Sequence, residues 1–201
     1  MDKSLSINTR FRMFANVLKH IWIMLVVSTV NYSYAFGSGA LMIDFTKQDE
    51  HLNWDATNDN VMGGISSGTM TYSNGRSLFS GVIYLENNGG FSSVNRPIQT
   101  LEADITHAEL EFIGDGRTYQ LRATTWKDGV RINYKHNFAT QQGERQVVSF
   151  SLNEFQAVFR GRLINGAPEL IAPDIQQIGL LIADNKSGEF KLELLQLRFR
   201  P

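Results

Sequence analysis

The run F-K-L-E-L-L-Q-L-R-F, Phe190 to Phe199, decides how this chain folds. Phe190, Leu192 and Leu194 fall at every second position and alternate with Lys191 and Glu193, the period of a strand with one dry and one wet face. At Leu195 the phase slips by one, and Leu197 and Phe199 continue in the new phase. One extra residue in a paired strand produces that shift, so the segment predicts a long strand with a β-bulge at Leu195. The same period recurs upstream. H-A-E-L-E-F-I (107–113) puts Ala108, Leu110 and Phe112 on one face, and Y-Q-L-R-A-T (119–124) does so with Tyr119, Leu121 and Ala123. Between these two, G-D-G-R reads as a hairpin turn. Segments 68–72 and 77–85 flank S-N-G-R, an Asn-Gly signal for a tight hairpin. Further runs at 41–45, 91–96, 131–136, 145–152 and 177–183 complete the set, and 153–159 reads as a short helical or irregular crossover. Eight or more short strands without a long amphipathic helix predict an all-β antiparallel sandwich or jelly roll.

The first 35 residues differ in kind. Arg10, Arg12 and Lys19 precede the apolar run Ile21–Val30, and Ser33 and Ala35 come next as small residues at the two positions a signal peptidase reads. Ten apolar residues are about half a bilayer span, so the segment predicts a signal helix in a cleaved peptide, 1–35, rather than a transmembrane anchor. Met13 offers an alternative start, and an uncleaved inner-membrane anchor is the other reading; only then would the protein contact a membrane. The expected location is exported, in the periplasm. Residues 36–201 form one domain, with no repeat or linker dividing them.

Composition sets further bounds. Hydrophobic residues make up 42% of the chain and it carries 13 Phe, enough for a packed core. Residues 1–35 hold four Lys/Arg and one acid, so residues 36–201 carry 15 basic against 19 acidic residues. A chain without basic excess is a poor fit to nucleic acid. Cysteine is absent, which excludes disulfides, thiol catalysis and thiolate metal sites.

Catalytic signatures are sparse. His20, His51, His107 and His136 share no ligand spacing, so no metal is expected. The serines of I-S-S-G and F-S-S-V lie in no nucleophile elbow. Asp59, Glu86, Asp115 and Asp184 fall at strand ends or turns, and spacing alone brings no two of them across a cleft. For Asp115 and Asp184 the expected role is the turn former that accepts its own loop's N–H groups. The glycine clusters lack the Walker lysine and the strand-to-helix setting of nucleotide loops, so no cofactor is expected. A non-catalytic domain is the reading.

Five blocks carry a resemblance: W-D-A-T-N-D-N-V-M-G-G-I-S-S-G (54–68), F-S-G-V-I-Y-L-E-N-N-G-G-F-S-S-V (79–94), G-D-G-R-T-Y-Q-L-R (114–122), F-R-G-R (159–162) and I-G-L-L-I-A-D (178–184). Together they resemble the complex I intermediate-associated protein family, whose mitochondrial members assist assembly of NADH:ubiquinone oxidoreductase. The resemblance implies a galactose-binding-like jelly roll and an interaction or assembly module that holds a protein partner, here in a respiratory or envelope complex. Carbohydrate binding is the alternative, with Trp54, Trp126 and Tyr119 as apolar faces for sugar rings. Within or beside these blocks, Trp54, Asn58, Asp59, Asn87, Asn88, Asp115 and Tyr119 are the candidate contact residues.

Overall fold

The computed structural model describes residues 41–127 and 129–201. The leader, 1–35, and with it the signal-peptide and anchor readings, lies outside the described residues. Thirteen strands run in the order β1 (Met42–Asp44), β2 (Asp55–Asn58), β3 (Ser67–Ser73), β4 (Arg76–Ile83), β5 (Ser92–Pro97), β6 (His107–Ile113), β7 (Thr118–Lys127), β8 (Val130–Ala139), β9 (Arg145–Ser151), β10 (Gln156–Phe159), β11 (Arg162–Leu163), β12 (Ile175–Ile182) and β13 (Gly188–Arg200). Helical structure among the described residues is confined to five 3₁₀ turns.

Two antiparallel sheets result. One has the order β3-β4-β13-β6-β9, with β1 joined to β13, and the other runs β11-β10-β8-β7-β12-β5-β2. Their inward faces interdigitate. Tyr119, Leu121 and Ala123 from one sheet, and Leu110, Phe112 and Leu192 from the other, share a single buried core. Each fully buried Phe or Leu contributes about 1.5–3 kcal/mol, so alternation on this scale is what holds the sandwich shut. The fold is the expected all-β jelly roll.

β13 is the central strand of its sheet, and its bulge lies where the sequence put it. Leu194 pairs with Phe112 and Gln196 with Glu111, leaving Leu195 as the extra residue. The Leu195 carbonyl accepts the Phe45 N–H at 3.0 Å, which ties the end of β1 to the bulge. The Asn-Gly hairpin is likewise present between β3 and β4. Asn74 (φ 52°) and Gly75 (φ 79°) are both left-handed, as a two-residue hairpin of that type requires.

Two expectations need correction. G-D-G-R joins no hairpin: β6 pairs with β13 and β9, whereas β7 pairs with β8 and β12, so the segment carries the chain from one sheet to the other. Turn residues signal a reversal but not which edge receives the returning strand. Segment 153–159 is also different. A 3₁₀ turn, Leu152–Glu154, leads into β10, which pairs with β8 over Gln156–Val158. Four residues are too few to display a period, and the short strands β2 and β11 give no signal for the same reason.

Candidate functional site

Asp59 organises two loops. It directly succeeds β2 and opens a 3₁₀ turn, Asp59–Met62, which ends at the left-handed Gly63 (φ 93°). Its side chain is fully buried. Oδ1 accepts the Ser66 N–H at 2.9 Å, while Oδ2 accepts the Gly90 N–H at 2.6 Å and the Phe91 N–H at 3.3 Å. Burial pushes the carboxyl's pKa upward, but the bonds from Ser66, Gly90 and Phe91 together outweigh it and hold the group below its ordinary 3.8. Glycine completes the cradle. A Cβ on Gly64 would stand 2.3 Å from the Asp59 Cγ, and one on Gly89 would stand 2.7 Å from Oδ2.

Neighbouring bonds stiffen the same region. Asn58 Nδ2 donates to the Gly68 carbonyl at 3.2 Å and its Oδ1 accepts the Ser92 hydroxyl at 2.7 Å, so Asn58 bridges β2, β3 and β5. The Ser66 hydroxyl accepts the Tyr84 N–H at 3.0 Å and donates to the Tyr84 carbonyl at 3.1 Å. Loops 59–66 and 84–91 thereby become one rigid unit. Asp59 was expected on a contact surface; with no solvent exposure it is an anchor beneath that surface instead.

Asp115 and Tyr119 form a second internal network. Asp115 Oδ1 accepts the Arg117 N–H at 3.0 Å, the turn role expected of it. Its Oδ2 accepts the Tyr119 hydroxyl at 2.8 Å and the Lys191 N–H at 2.7 Å, so the turn is also stapled to β13. Burial, reinforced by the Asp115 charge, drives the Tyr119 phenol far above its ordinary pKa and keeps it neutral. Arg117 commits all its donors here. Nε and one terminal nitrogen grip Asp184 at 3.0 and 2.6 Å, the other bonds the Gly188 and Glu189 carbonyls at 3.0 Å, and the Lys186 carbonyl takes the last N–H. A concavity of about 580 Å³ lies beside this network, lined in part by Ser80, Val82 and Lys191. Asp115 and Arg117 also line it, but their polar atoms are committed to protein partners.

Trp54 is not the free platform expected. Its indole is buried, its ring lies 5.5 Å from that of Phe45, and its Nε1 donates to Glu50 Oε1 at 3.0 Å. Arg96 holds the same carboxylate at 2.9 Å. Tyr119 is equally unavailable as a sugar platform, because Phe79, Phe138 and Phe190 surround its ring. Trp126 alone of the three is exposed, with the Arg131 guanidinium 4.9 Å from its ring centre. Asn87 is exposed at a left-handed position (φ 56°) in the 84–91 loop. The side chain of Asn88 lies outside what the structure describes.

The structure adds residues that the candidate set omits. Glu50 stands in no recognised block, whereas Ser66, Arg117 and Asp184 each stand in one without having been singled out as contact residues. The apolar residues of the Asp59 unit are a further addition. Val61, Met62 and Ile65 are 69%, 59% and 53% exposed, and Tyr84 and Leu85 on the adjoining loop are exposed too. Leu85 lies against Gly90, close enough that a Cβ there would meet it at 3.1 Å. This pair of loops buries the Asp59 carboxylate, leaves that of Glu86 in solvent and exposes five apolar side chains.

Comparison with known proteins places this arrangement. Residues 43–194 match the family model described as complex I intermediate-associated protein 30 (CIA30). The chain belongs to that family. The CIA30 match takes in both Asp59 and the Arg117–Asp184 pair. A Schizosaccharomyces pombe relative, Uncharacterized protein C9E9.15, is 35% identical over 74 residues, 35% of this chain and 34% of that one. The aligned part is thus about a third of that relative's length. Among solved structures, the family 11 carbohydrate-binding module of the cellulosomal cellulase Lic26A-Cel5E of Clostridium thermocellum superposes with a TM-score of 0.58 at 13% identity, covering 79% of this chain and 94% of the module. The Clostridium thermocellum module in complex with a β-1,3-1,4-mixed-linked tetrasaccharide gives 0.57 at 14%, covering 79% and 95%. At such identities the likeness is one of fold, and it agrees with the galactose-binding-like jelly roll that the sequence implied.

Proposed function

We propose that this CIA30-family chain is a non-catalytic interaction module that holds a protein partner, in an assembly role, through the apolar loop pair 59–66 and 84–91. The observation that carries the reading is the exposure of Val61, Met62 and Ile65 on loops fixed from below by Asp59. Rigid loops lose little entropy on binding, and apolar side chains at their tips supply the buried centre of an interface. The partner is a component of a respiratory or envelope complex, met in the periplasm after export. An uncleaved inner-membrane anchor would keep the domain at the same face.

The test uses the full chain, tagged, in its native cell. Fractionation should find it in the periplasm or on the inner membrane, and a cytoplasmic location would move the partner to that side. Met62→Asp and Ile65→Asp should remove a partner that the parent chain retains from native membranes, with the melting temperature unchanged. Retention of that partner by both variants would refute the loop pair as the docking surface.

A second reading, carbohydrate binding, is supported by the outer face of the seven-stranded sheet. Asn95, Gln120 and Asn133 are only partly exposed there, and amides of this kind both give and accept hydrogen bonds to hydroxyls. A glycan array and then calorimetry test it, and no binding to any glycan would exclude it.

A further inference from the structure

The two outer faces of the sandwich differ in how they treat charge. On the six-stranded sheet cations are matched by carboxylates: Arg145 with Glu111, Arg200 with Glu109 and Arg76 with Glu193. On the outward face of the seven-stranded sheet, by contrast, Arg122, Arg131 and Lys135 have no carboxylate partner among the described residues. Since Tyr119, Leu121 and Ala123 point into the core, Gln120, Arg122 and Thr124 point out. The register aligns Asp55, Asn95, Gly179, Arg122, Lys135 and Gln156 in one row across six strands.

Arg122 sits in the middle of that row, partly buried, with Lys135 directly opposite on β8. Among the described residues its hydrogen bond goes to the neutral Gln120 Oε1, at 3.0 Å. Arg131 is close enough for its charge to act on Arg122. None of Arg122, Arg131 and Lys135 belongs to an ion pair among the described residues. The carboxylate in the row, Asp55, stands three strands away, about 14 Å at the usual strand spacing. That distance exceeds the screening length of about 8 Å at physiological salt, so Asp55 does not neutralise the cluster.

The surroundings narrow what could supply the missing anion. Gly179 faces Arg122, and the Asn95 amide lies across it, where a Cβ would meet Asn95 Oδ1 at 2.5 Å. On β7 and β8 the next positions outward are Thr124 and Asn133, bonded to each other at 2.9 Å. Thr124 is buried and orients Asn133, and the partly exposed amides of Asn95, Gln120 and Asn133 suit a ligand rich in hydroxyl groups. The row itself, Asp55, Asn95, Gly179, Arg122, Lys135 and Gln156, carries no apolar side chain to pack against those of a peptide. Trp126, exposed beneath Arg131, offers a flat face at one margin.

We propose that the outer face of the seven-stranded sheet binds an acidic polysaccharide, with a carboxylate or sulfate of the chain received by Arg122 and supported by Lys135 and Arg131. The site rests on the carbohydrate reading and adds the requirement for negative charge. It is separate from the apolar loop pair.

Affinity electrophoresis and calorimetry on the full chain test it with four polymers: polygalacturonate, dextran sulfate, neutral mixed-linkage β-glucan and poly-L-glutamate. The expected result is binding to polygalacturonate or dextran sulfate, the preferred one telling carboxylate from sulfate. Affinity should fall steeply with added salt, by at least about tenfold in Arg122→Gln, and several-fold in Lys135→Gln. Both side chains face outward, and unchanged melting curves for Lys135→Gln, with Arg122→Gln melting no lower than the parent, will show that the variants fold. Binding to neutral β-glucan alone, or equal binding by Arg122→Gln, overturns the charge requirement and leaves carbohydrate recognition standing. Poly-L-glutamate bound as tightly as either acidic polysaccharide overturns the polysaccharide in favour of an acidic peptide. Binding to none of the four overturns both the site and the reading beneath it.

Discussion

Replacing Asp59 should damage the fold far more than its position in a loop suggests. In the native chain its carboxylate takes three backbone N–H groups, from Ser66, Gly90 and Phe91, in a place solvent does not reach. Asp59→Ala strands those donors. Each unsatisfied buried donor costs about 1–3 kcal/mol, and relief from burying a charge returns part of the sum, so a net loss of about 3–5 kcal/mol is expected. For a domain of this size that is a fall in melting temperature of roughly 6–20 °C. Asp59→Asn separates the chemistry from the packing. Asparagine has nearly the same volume, but both oxygens of Asp59 are acceptors, so its NH₂ must face a backbone N–H whichever way it turns. The amide should therefore lose most of what alanine loses.

The pH dependence supplies an independent check on the same residue. The folded carboxyl has a pKa below its ordinary 3.8. Its contribution is then complete above that value and disappears as the pH falls through the folded pKa. The gap in stability between the parent and Asp59→Asn should be wide at pH 7 and should close below about pH 4. Urea unfolding monitored by circular dichroism at several pH values measures it. An Asn variant within about 1 kcal/mol of the parent at pH 7, or a gap insensitive to pH, would refute the anchor role.

The geometry sets three further outcomes. Arg117→Ala leaves Asp184 and three carbonyls without their donor, and thermal melts should show a loss of about 3–5 kcal/mol that Arg117→Lys does not restore. Gly64→Ala drives a methyl to 2.3 Å from the Asp59 Cγ; it should cost about 1–3 kcal/mol alone and much less in an Asp59→Ala background, a coupling that a double-mutant cycle reads directly. Arg122 is brought down to about 10, well below the ordinary guanidinium value, by burial first and then by the Arg131 charge. An unfolded chain holds that proton to higher pH than the folded one, so charged Arg122 opposes folding below pH 10, and stability should rise as the pH climbs past 10. Arg122→Gln should accordingly melt higher, by at most about 3 kcal/mol, and a lower melting temperature would contradict this account.

The sandwich was legible because alternation is a local signal repeated many times. Phe190 to Phe199 disclosed both its strand and its bulge, since a bulge alters the phase of side chains that sequence displays directly. The partner of a strand is not displayed that way. G-D-G-R looks like a hairpin because Gly114, Asp115 and Gly116 are turn formers in either setting. Gly114 in fact makes room for Thr140, whose Cβ would lie 2.2 Å from a Cβ there. Three of the candidate residues proved buried for a related reason. Trp54, Asp59 and Tyr119 stand out as unusual residues in unusual blocks, but polar or aromatic character does not report exposure. Their partners (Glu50, the Gly90 and Phe91 N–H groups, and Asp115) lie 4 to 32 positions away in sequence. Burial of a polar group is a tertiary fact, and nothing short of the fold supplies it.

That outcome changes what the recognised blocks mean. Asn58, Asp59, Gly64, Gly68 and Gly89 have internal reasons for being what they are, since each bonds or makes room for a named neighbour. Arg117 and Asp184 do too. Resemblance carried by such residues reports a shared scaffold, and two proteins can share it while holding different partners. Val61, Met62 and Ile65 are the exception within the same stretch. They lie among the anchors, yet they touch solvent, and the scaffold would close equally well with polar side chains in their place. Apolar exposure that the fold does not require is the feature that stability cannot explain. If the Met62→Asp and Ile65→Asp variants keep the parent's melting temperature while losing its partner, the anchors and the contact surface will have been separated inside one eleven-residue run, Asn58 to Gly68.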